Sequence, residues 1–309
     1  MTTVLSIIIP TFKRRESLQR LLRALEVQEN ISPEIIVVDQ NDPSVLDDIL
    51  PAFPSVRRLM METPNASDAR NRGFLASKGQ FLLFIDDDLV PGPQFCAKGV
   101  EIFNRYASIG CFSPLVYNDL GKEPALQAAA QKKISVLREE SSIFSITDTI
   151  SAALFFRKEY FATTGGFDPV LFEFAKTAED FEFFQRIGKK KMDAYFVPFI
   201  EVYHDESVPG GCELRSADYW RTREKCIRSW VFCRRIHHTP LGRLSVNDLL
   251  SLSRSSFLNK EVVRAGIRDI YRQAGILLKA LHSSRDYLQV RDKYYVGVSS
   301  MDHLTKTID

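Results

Sequence analysis

Short, wholly apolar runs alternate along the first half of the chain with longer stretches in which apolar residues recur every three or four positions. The runs are typical of strands buried on both faces of a sheet, and the longer stretches are typical of helices with one apolar face. Strands are predicted at Val4–Ile9, Glu34–Val38, Val56–Met61 and Phe81–Ile85, and helices at Glu16–Gln28, Val45–Leu50 and Ala66–Ser77. We therefore expect an α/β fold built on a mostly parallel sheet flanked by helices.

The pattern is more mixed after residue 110. It predicts a loop at Asn118–Glu123, helices at Ala125–Lys133 and Ala178–Gly188, a turn at Gly165–Pro169, and strands at Ile150–Phe156, Ala194–Phe196 and Phe199–Tyr203. From Arg215 to about Tyr295 the pattern is helical. We expect residues 1–212 to form the α/β domain and residues 213–309 to form a mostly helical extension.

Charge is unevenly divided between these two parts. The 309 residues carry a net charge of +2, but residues 1–212 hold 23 Lys and Arg against 29 Asp and Glu, whereas residues 213–309 hold 18 against 10. The domain expected to contain the binding cleft is acidic, and no nucleic-acid motif occurs in the chain. Nucleic acid is therefore not an expected partner.

The basic extension contains one amphipathic stretch between Glu261 and Leu281. Its apolar stripe is predicted to comprise Val263, Ile267, Ile270, Ala274, Leu277 or Leu278, and Leu281, with Arg264, Arg268 and Arg272 forming a ridge elsewhere on the helix. Two interpretations are open. The helix either packs on the α/β domain with a solvated basic face, or contacts an anionic membrane or a lipid-linked diphosphate acceptor.

The cysteine content and the length of the apolar runs indicate the cellular compartment in which the protein is expected. Five cysteines are present, and no two of them form a Cys-x-x-Cys pair, which argues against a zinc ribbon, a redox dithiol or a secreted disulfide framework. The first residues lack the pattern of a secretory signal, and no apolar run approaches the roughly 20 residues that span a bilayer. A cytoplasmic protein with reduced cysteines is expected.

Carboxylates cluster where the predicted strands end. Asp39 follows the second strand, and Asp86, Asp87 and Asp88 follow the fourth. Ligands of open α/β sheets bind beyond the carboxyl ends of the strands, so we expect these side chains to face one crevice. Three adjacent carboxylates repel one another, and a hard divalent cation would hold them together. The alternative is a solvated acidic turn that caps the next helix.

Other charged residues also allow two interpretations. The segment Pro64–Gly73 either directs Arg70 and Arg72 at an anion or is an ordinary surface helix capped by Asn65 or Ser67.

Glu179 and Asp180 open a predicted helix, where acidic residues commonly interact with the helix dipole, although one of two adjacent carboxylates can also enter a pocket. His204 is either a metal ligand or a core histidine.

Six segments follow one another in a distinctive order: Ser6–Arg14, Ile36–Asp39, Ala69–Gly73, Phe84–Asp88, Gly165–Asp168 and Glu179–Asp180. Taken in this order they resemble the motifs of glycosyltransferase family 2, the inverting enzymes of the GT-A fold. The extension looks loosely like the C-terminal helices of bacterial polysaccharide glycosyltransferases. The resemblance covers about residues 4–205. Within it, the segment Val38–Asp42 departs from the family's usual Asp-x-Gly-Ser-x-Asp stretch.

The resemblance implies roles for particular residues. A nucleotide-sugar donor would contact Pro10, Thr11, Arg14, Asp39, Asn65, Arg70, Asp86, Asp87, Gly166 and Glu179. Asp88, His204 and Asp86 would hold Mn²⁺ or Mg²⁺, and Asp180 would be the catalytic base. The expected reaction transfers a sugar, with inversion, from a UDP- or dTDP-linked donor to a hydroxyl of a glycan or lipid-linked acceptor, in surface polysaccharide biosynthesis at or near the inner face of the membrane.

Two other functions are weighed against this reaction. A sugar-phosphate nucleotidyltransferase would normally carry a glycine-rich loop after the first strand, where this chain has Pro10–Arg15 without glycine. A noncatalytic nucleotide-sugar-binding module would be expected to lose the base or metal-binding positions, all of which are present here.

Overall fold

The computed structural model describes residues 4–118, 143–147, 149–175, 179–205, 210–211, 224–225, 227–229, 231–233, 236 and 267–295. The strands are β1 (Leu5–Thr11), β2 (Glu34–Asp39), β3 (Val56–Met60), β4 (Phe81–Ile85), β5 (Leu89–Pro91), β6 (Cys111–Asn118), β7 (Phe144–Ile146), β8 (Ala153–Arg157) and β9 (Ala194–His204). The α-helices are α1 (Arg15–Glu26), α2 (Ala66–Ala76), α3 (Phe95–Arg105), α4 (Lys158–Thr164), α5 (Pro169–Ala175), α6 (Glu179–Lys189) and α7 (Ile267–Tyr295).

The nine strands in the described part of the chain belong to one sheet. Their order is β3-β2-β1-β4-β8-β6-β9-β5, and β7 also pairs with β9. Strands β1 to β4, β6 and β9 run in one direction, and β5, β7 and β8 run in the other. The prediction of a mostly parallel α/β sheet is confirmed. The carboxyl ends of β1, β2, β4 and β9 therefore lie along the same edge.

Strand β1 lies at the centre of the core. Helices cover both faces of the sheet around it. Its seven residues are all buried. Ile7 and Ile9 pack in one apolar cluster with Leu18 and Leu22 of α1, whereas Ile8, on the opposite face, joins a second cluster. A strand buried on both faces has to be apolar throughout, which is why this strand was predictable from its sequence.

Some predicted elements differ from the observed ones. The helix predicted at Val45–Leu50 is wrong: two short 3₁₀ turns, Pro43–Leu46 and Leu50–Ala52, replace it. Each has proline in its first positions, and the segment is too short for a stable α-helix. The two strands predicted on either side of Pro198 form one continuous strand, β9. Proline is tolerated there because the pairing with β6 shifts register beside it.

Six elements were not predicted: β5, β6, β7, α3, α4 and α5. Strands β5 and β7 are three residues long and are defined by their pairing with β9. In α3, Gly99 weakens the helical signal, but a Cβ there would come within 2.2 Å of a ring carbon of Phe155. Gly99 therefore allows the helix to pack closely on the sheet.

Helix α7 confirms the helical prediction for part of the extension. Its buried residues Ile276, Ala280 and Tyr287 form a third cluster with Leu171 of α5. Of the predicted apolar stripe, Leu277 and Leu281 are partly buried and pack against this cluster. Leu278, the alternative to Leu277, points outward with 67% of its surface exposed.

Several predictions fall outside the described residues. They are residues 119–123 of the predicted loop, the helix at Ala125–Lys133, residues 215–223 and 237–266 of the extension, and the side chains of Arg264, Arg268, Ile267 and Ile270. The division at residue 212 stays a prediction. Within the described part of the chain, no helix is both long enough and apolar enough to cross a bilayer.

Candidate functional site

A cleft of about 230 Å³ opens at the edge where the parallel strands end. Eight of the predicted site residues line it: Pro10, Arg14, Arg70, Asp86, Asp87, Glu179, Asp180 and His204. They come from the ends of β1, β4 and β9 and from helices α2 and α6. The structure thus brings together segments that are far apart in the sequence, as expected for a site beyond the carboxyl ends of an α/β sheet.

Asp87 is buried under the cleft, and both of its carboxylate oxygens accept hydrogen bonds. Thr11 Oγ1 donates to Oδ2 over 2.7 Å, and Arg14 Nη1 donates to Oδ1 over 3.1 Å. The pKa of Asp87 is raised to about 7, because burial and the negative charge of Asp88 together outweigh the opposing effect of Arg14. Asp87 therefore links the end of β4 to the loop after β1.

Asp88 lies between a cation and a histidine. Its Oδ2 is 2.6 Å from Arg14 Nη1, and its Oδ1 is 3.1 Å from His204 Nε2. Pairing of β5 with β9 sets Leu89 opposite His204, and the backbone N–H of Asp205 donates to the carbonyl of Asp88 over 2.9 Å. The short unpredicted strand β5 is thus what brings the predicted metal ligands Asp88 and His204 into contact.

Arg70 connects the two acidic groups of the cleft. Its Nη2 is 2.8 Å from Asp86 Oδ1, and its Nη1 is 3.3 Å from Glu179 Oε1. The guanidinium also lies 5.3 Å from the centre of the Phe167 ring. Burial disfavours the charged form of Arg70, but the two carboxylates outweigh it and raise its pKa. Arg70 is therefore a permanent cation in the wall of the cleft.

Asp180 lies in the first turn of α6, and its Oδ1 accepts a hydrogen bond from the backbone N–H of Phe181. Farther along this helix, the buried Glu182 binds Arg186 through two hydrogen bonds of 3.1 and 2.6 Å. Arg186 Nη1 in turn donates to the carbonyls of Thr164 and Gly166, over 2.8 and 2.7 Å. The helix that begins with Glu179 and Asp180 is thereby fixed to the glycine turn of the Gly165–Asp168 motif.

Asp39 does not line the cleft, in contrast to the expectation that it shares one crevice with Asp86–Asp88. It is fully buried. Its Oδ2 accepts from Arg58 Nε and Nη2 over 2.9 and 2.6 Å, and its Oδ1 accepts from Asn41 N and Nδ2 over 3.0 and 2.7 Å. These donors come from β3 and from the loop after β2, so the observed contacts of Asp39 stabilise that loop.

Asn65 and Gly166 also lie outside the lining of the cleft. Asn65 caps α2, since its Oδ1 accepts from the N–H of Asp68 over 3.1 Å, while its Nδ2 donates to the carbonyl of Pro169 over 3.0 Å. Of the two caps considered, Asn65 is thus the one observed. Gly166 has φ of +74°, a conformation that suits glycine.

The lining includes residues that were not predicted, among them Gln40, Phe172, Gly210 and Gly211. The N–H of Gly211 donates to the carbonyl of Phe12 over 2.8 Å. Gly210 has φ of +130°, and a Cβ there would lie 2.5 Å from the carbonyl oxygen of Lys13. The adjacent glycines after β9 were a usable sequence signal for a close backbone approach, but their partner could not be read from the sequence.

The sequence pattern that defines the family Glycosyl transferase family 2 matches residues 6–165, just over half of the chain. The chain belongs to glycosyl transferase family 2. The family predicted from the six motifs is thereby confirmed. The matched segment contains Asp86–Asp88 and Arg70, but it ends before α6 and the extension.

Two proteins illustrate the sequence similarity of this family 2 chain. It is 34% identical over 108 residues to an uncharacterized glycosyltransferase of Haemophilus influenzae, covering 34% of this chain and 36% of that protein. It is 28% identical over 138 residues to a chondroitin synthase of Escherichia coli, covering 42% of this chain and 20% of that protein. The chain thus spans about a third and a fifth of these relatives.

Two solved structures share the fold. Staphylococcus aureus TarS residues 1–349, in complex with UDP-GlcNAc, has a TM-score of 0.64 at 14% identity and aligns over 92% of this chain and 81% of its own. GalNAc-T7 with UDP, GalNAc and Mn²⁺ has a TM-score of 0.53 at 16% identity, over 82% and 54%. At these identities the likeness concerns the fold alone, and it confirms the predicted GT-A class.

Family 2 implies a divalent cation, and the geometry of Asp88 and His204 is compatible with one. Their facing oxygen and nitrogen are 3.1 Å apart. Neighbouring ligands of an octahedral ion with bonds of roughly 2.1 Å lie about 3.0 Å apart. No group of three or more His, Cys, Asp or Glu side chains close enough to hold a metal ion occurs among the residues that the structure describes. The fit therefore rests on this pair. Asp86 lines the cleft with its Oδ1 paired to Arg70, and its role as a further ligand stays a prediction.

Proposed function

We propose that this family 2 chain is a metal-dependent inverting glycosyltransferase, which moves a sugar from a nucleoside-diphosphate donor to a hydroxyl of a glycan or lipid-linked acceptor in surface polysaccharide biosynthesis. The observation that carries the proposal is the shared cleft, in which Asp180 faces the same space as Asp86, Arg70 and His204. A displacement at a sugar carbon needs a base on one side of the carbon and charge stabilisation of the leaving group on the other.

The donor diphosphate would meet fixed positive charge in this cleft. Arg14 and Arg70 both line it, and both are largely buried among carboxylates. Asp88 and His204 would hold Mn²⁺ or Mg²⁺, which supplies Lewis-acid stabilisation of the departing diphosphate. The Mn²⁺ in the GalNAc-T7 structure and the UDP-GlcNAc in the TarS structure are in keeping with such a donor.

A neighbouring cavity is suited to the nucleoside. It has a volume of about 710 Å³ and shares Phe12 and Gln40 with the cleft. Met60 and Met61 at the end of β3 form an apolar part of its lining. An aromatic ring, a thioether surface and an amide together fit a flat base with hydrogen-bonding edges, and we assign the uracil or thymine to this cavity.

Asp180 would act as the general base. It takes the proton of the acceptor hydroxyl as the oxygen attacks the anomeric carbon, and the electron pair of the breaking bond leaves with the diphosphate. Because the attack comes from the side opposite the leaving group, the configuration inverts. Adjacent residues on a helix point in different directions, so Glu179 can remain with Arg70 while Asp180 serves the acceptor.

The test is a transfer panel. The full chain would be incubated with UDP-, dTDP- and GDP-sugars, Mn²⁺, and alkyl-linked or polyprenyl-diphosphate-linked saccharides, with detection of the released nucleoside diphosphate and of the lengthened acceptor. Both products should appear with one donor class. Release of pyrophosphate from a nucleoside triphosphate and a sugar phosphate would instead identify a nucleotidyltransferase. Donor binding without any release would identify a binding module.

Peripheral membrane contact is a further part of the proposal, suggested by the outer face of α7. Tyr271 and Leu278 are 75% and 67% exposed, and Arg272 and Lys279 beside them are exposed as well. We assign this outer patch, made of these four residues, to the anionic inner face of the cell membrane, where apolar and basic side chains both contribute to binding. Flotation with vesicles that contain or lack anionic lipid tests the assignment.

A further inference from the structure

Asp168 makes a buried contact with the C-terminal helix that the proposed reaction does not use. It follows the glycine turn, and 1% of its surface is exposed. Its Oδ1 accepts from the N–H of Leu171 over 3.0 Å, at the start of α5. Its Oδ2 accepts from Tyr287 Oη and from Arg291 Nε, both over 3.0 Å. One carboxylate therefore joins the start of α5 to two side chains of α7.

The α7 side of this contact is built into a packed interface. Tyr287 is fully buried, and its ring stacks on Phe232 with centroids 4.9 Å apart and planes at 4°. Phe174 of α5 meets the same ring edge-on, with centroids 5.7 Å apart. Burial, followed by the charge of Asp168, raises the pKa of Tyr287 well above its ordinary value, so its hydroxyl is a permanent donor.

Helix α5 connects this contact to the cleft. One turn after Asp168, Phe172 lines the cleft together with Asp180. The first residue of the helix, Pro169, receives a hydrogen bond from Asn65 of the α2 cap over 3.0 Å. The helix is thus held from α2 on one side and from α7 on the other, and it has only seven residues of its own.

We propose that Tyr287 and Arg291 are positioning residues for sugar transfer, which orient α5 through Asp168 and thereby fix Phe172 in the wall of the cleft. This inference deepens the proposed function and rests on it. A helix of two turns has little intrinsic stability, so its orientation depends on the groups that hold its ends. Loss of either hydrogen-bond donor leaves the buried carboxylate of Asp168 only partly satisfied. The start of α5 would then shift to recover hydrogen bonds.

The experiment compares Tyr287→Phe, Arg291→Met and the conservative Arg291→Lys with Arg285→Met, which removes an exposed arginine from the same helix. Hydrogen exchange of the α5 amides in the substrate-free full chain should be about tenfold faster in Tyr287→Phe and Arg291→Met. It should be unchanged in Arg285→Met and intermediate in Arg291→Lys. Tyr287→Phe keeps the ring, so packing against Phe232 is retained.

Kinetics separate positioning from general stability. With the donor and acceptor selected by the transfer panel, kcat/KM for the acceptor should fall about tenfold in the same two variants, while the calorimetric affinity for UDP with Mn²⁺ stays within about twofold. Unchanged α5 exchange would overturn the inference. A parallel loss of UDP affinity and transfer would overturn it too, because it would indicate a purely structural contact. If the wild type transfers no sugar, the proposed function fails, and the exchange data alone decide whether α7 holds α5.

Discussion

The two sides of the cleft are built in different ways. The side that carries Asp86–Asp88 is positioned by backbone pairing: β4 lies beside β1 in the parallel part of the sheet, and β5 pairs with β9 to place His204 next to Asp88. Ladder hydrogen bonds act along whole strands, so one substitution changes the backbone little.

The side that carries Glu179 and Asp180 is positioned mainly by side chains. Arg186 joins α6 to the glycine turn, and Asp168 joins α5 to α7. Each connection depends on one or two charged groups. The comparison indicates that substitutions on the Asp86–Asp88 side should change donor binding, whereas substitutions on the Asp180 side should change transfer.

The largest expected effect distinguishes the two sides directly. Asp180→Asn removes the proposed base and should lower kcat by about 10²–10⁴-fold, the usual contribution of general base catalysis, while donor affinity is retained. Measurement of transfer rate and donor affinity in the same preparation checks this. Asp193→Asn, an exposed aspartate near the start of β9, is the matched control. Near-normal transfer by Asp180→Asn would remove it from the role of base.

The next effect tests the proposed metal site, on the side of the cleft that is proposed to bind the donor. His204→Asn should weaken Mn²⁺-dependent binding of the nucleotide sugar by about tenfold or more, since imidazole is lost from a two-residue site. Calorimetry with and without Mn²⁺ measures it, and His282→Asn, on the exposed surface of α7, is the control. Equal binding by the variant with and without Mn²⁺ is expected. Wild-type affinity with full Mn²⁺ dependence would exclude His204 as a ligand.

A smaller effect concerns stability. Asp39→Asn leaves Arg58 with a weaker partner and should lower the free energy of unfolding by about 1–3 kcal/mol, as measured by urea denaturation. Asp48→Asn breaks the exposed contact with Arg15 and should give no measurable change. If Asp39→Asn abolished donor binding while leaving stability intact, the family role of this residue in base recognition would be supported instead.

The smallest effect concerns the outer patch of α7. Lys279→Gln should reduce partitioning onto vesicles with anionic lipid by about fivefold, because each basic residue near such a surface contributes about 1 kcal/mol. Flotation assays measure the bound fraction, with neutral vesicles as the control. Wild-type binding that does not depend on anionic lipid would contradict the assignment of this patch to a membrane.

The central strands and the strand-end carboxylates could be predicted because burial on both faces leaves a continuous apolar signal in the sequence. Short elements such as β5 could not, since their structure depends on a partner strand far along the chain. The contacts of Asp39 were also beyond prediction: its place after β2 was evident, but its partner Arg58 comes from β3. The motif order predicted the family, and eight of the residues that it indicated line the cleft.

The sequence by itself determined which edge of the sheet carries the candidate site, because apolar strands that end in carboxylates leave few alternatives for where those charges can be solvated. Tertiary structure decided which of the charges share a space. It brought His204 next to Asp88 through strand pairing, buried Asp39 in a structural contact, and joined α7 to the motif residue Asp168. These outcomes depend on contacts between distant segments, which hydrophobic periodicity does not encode.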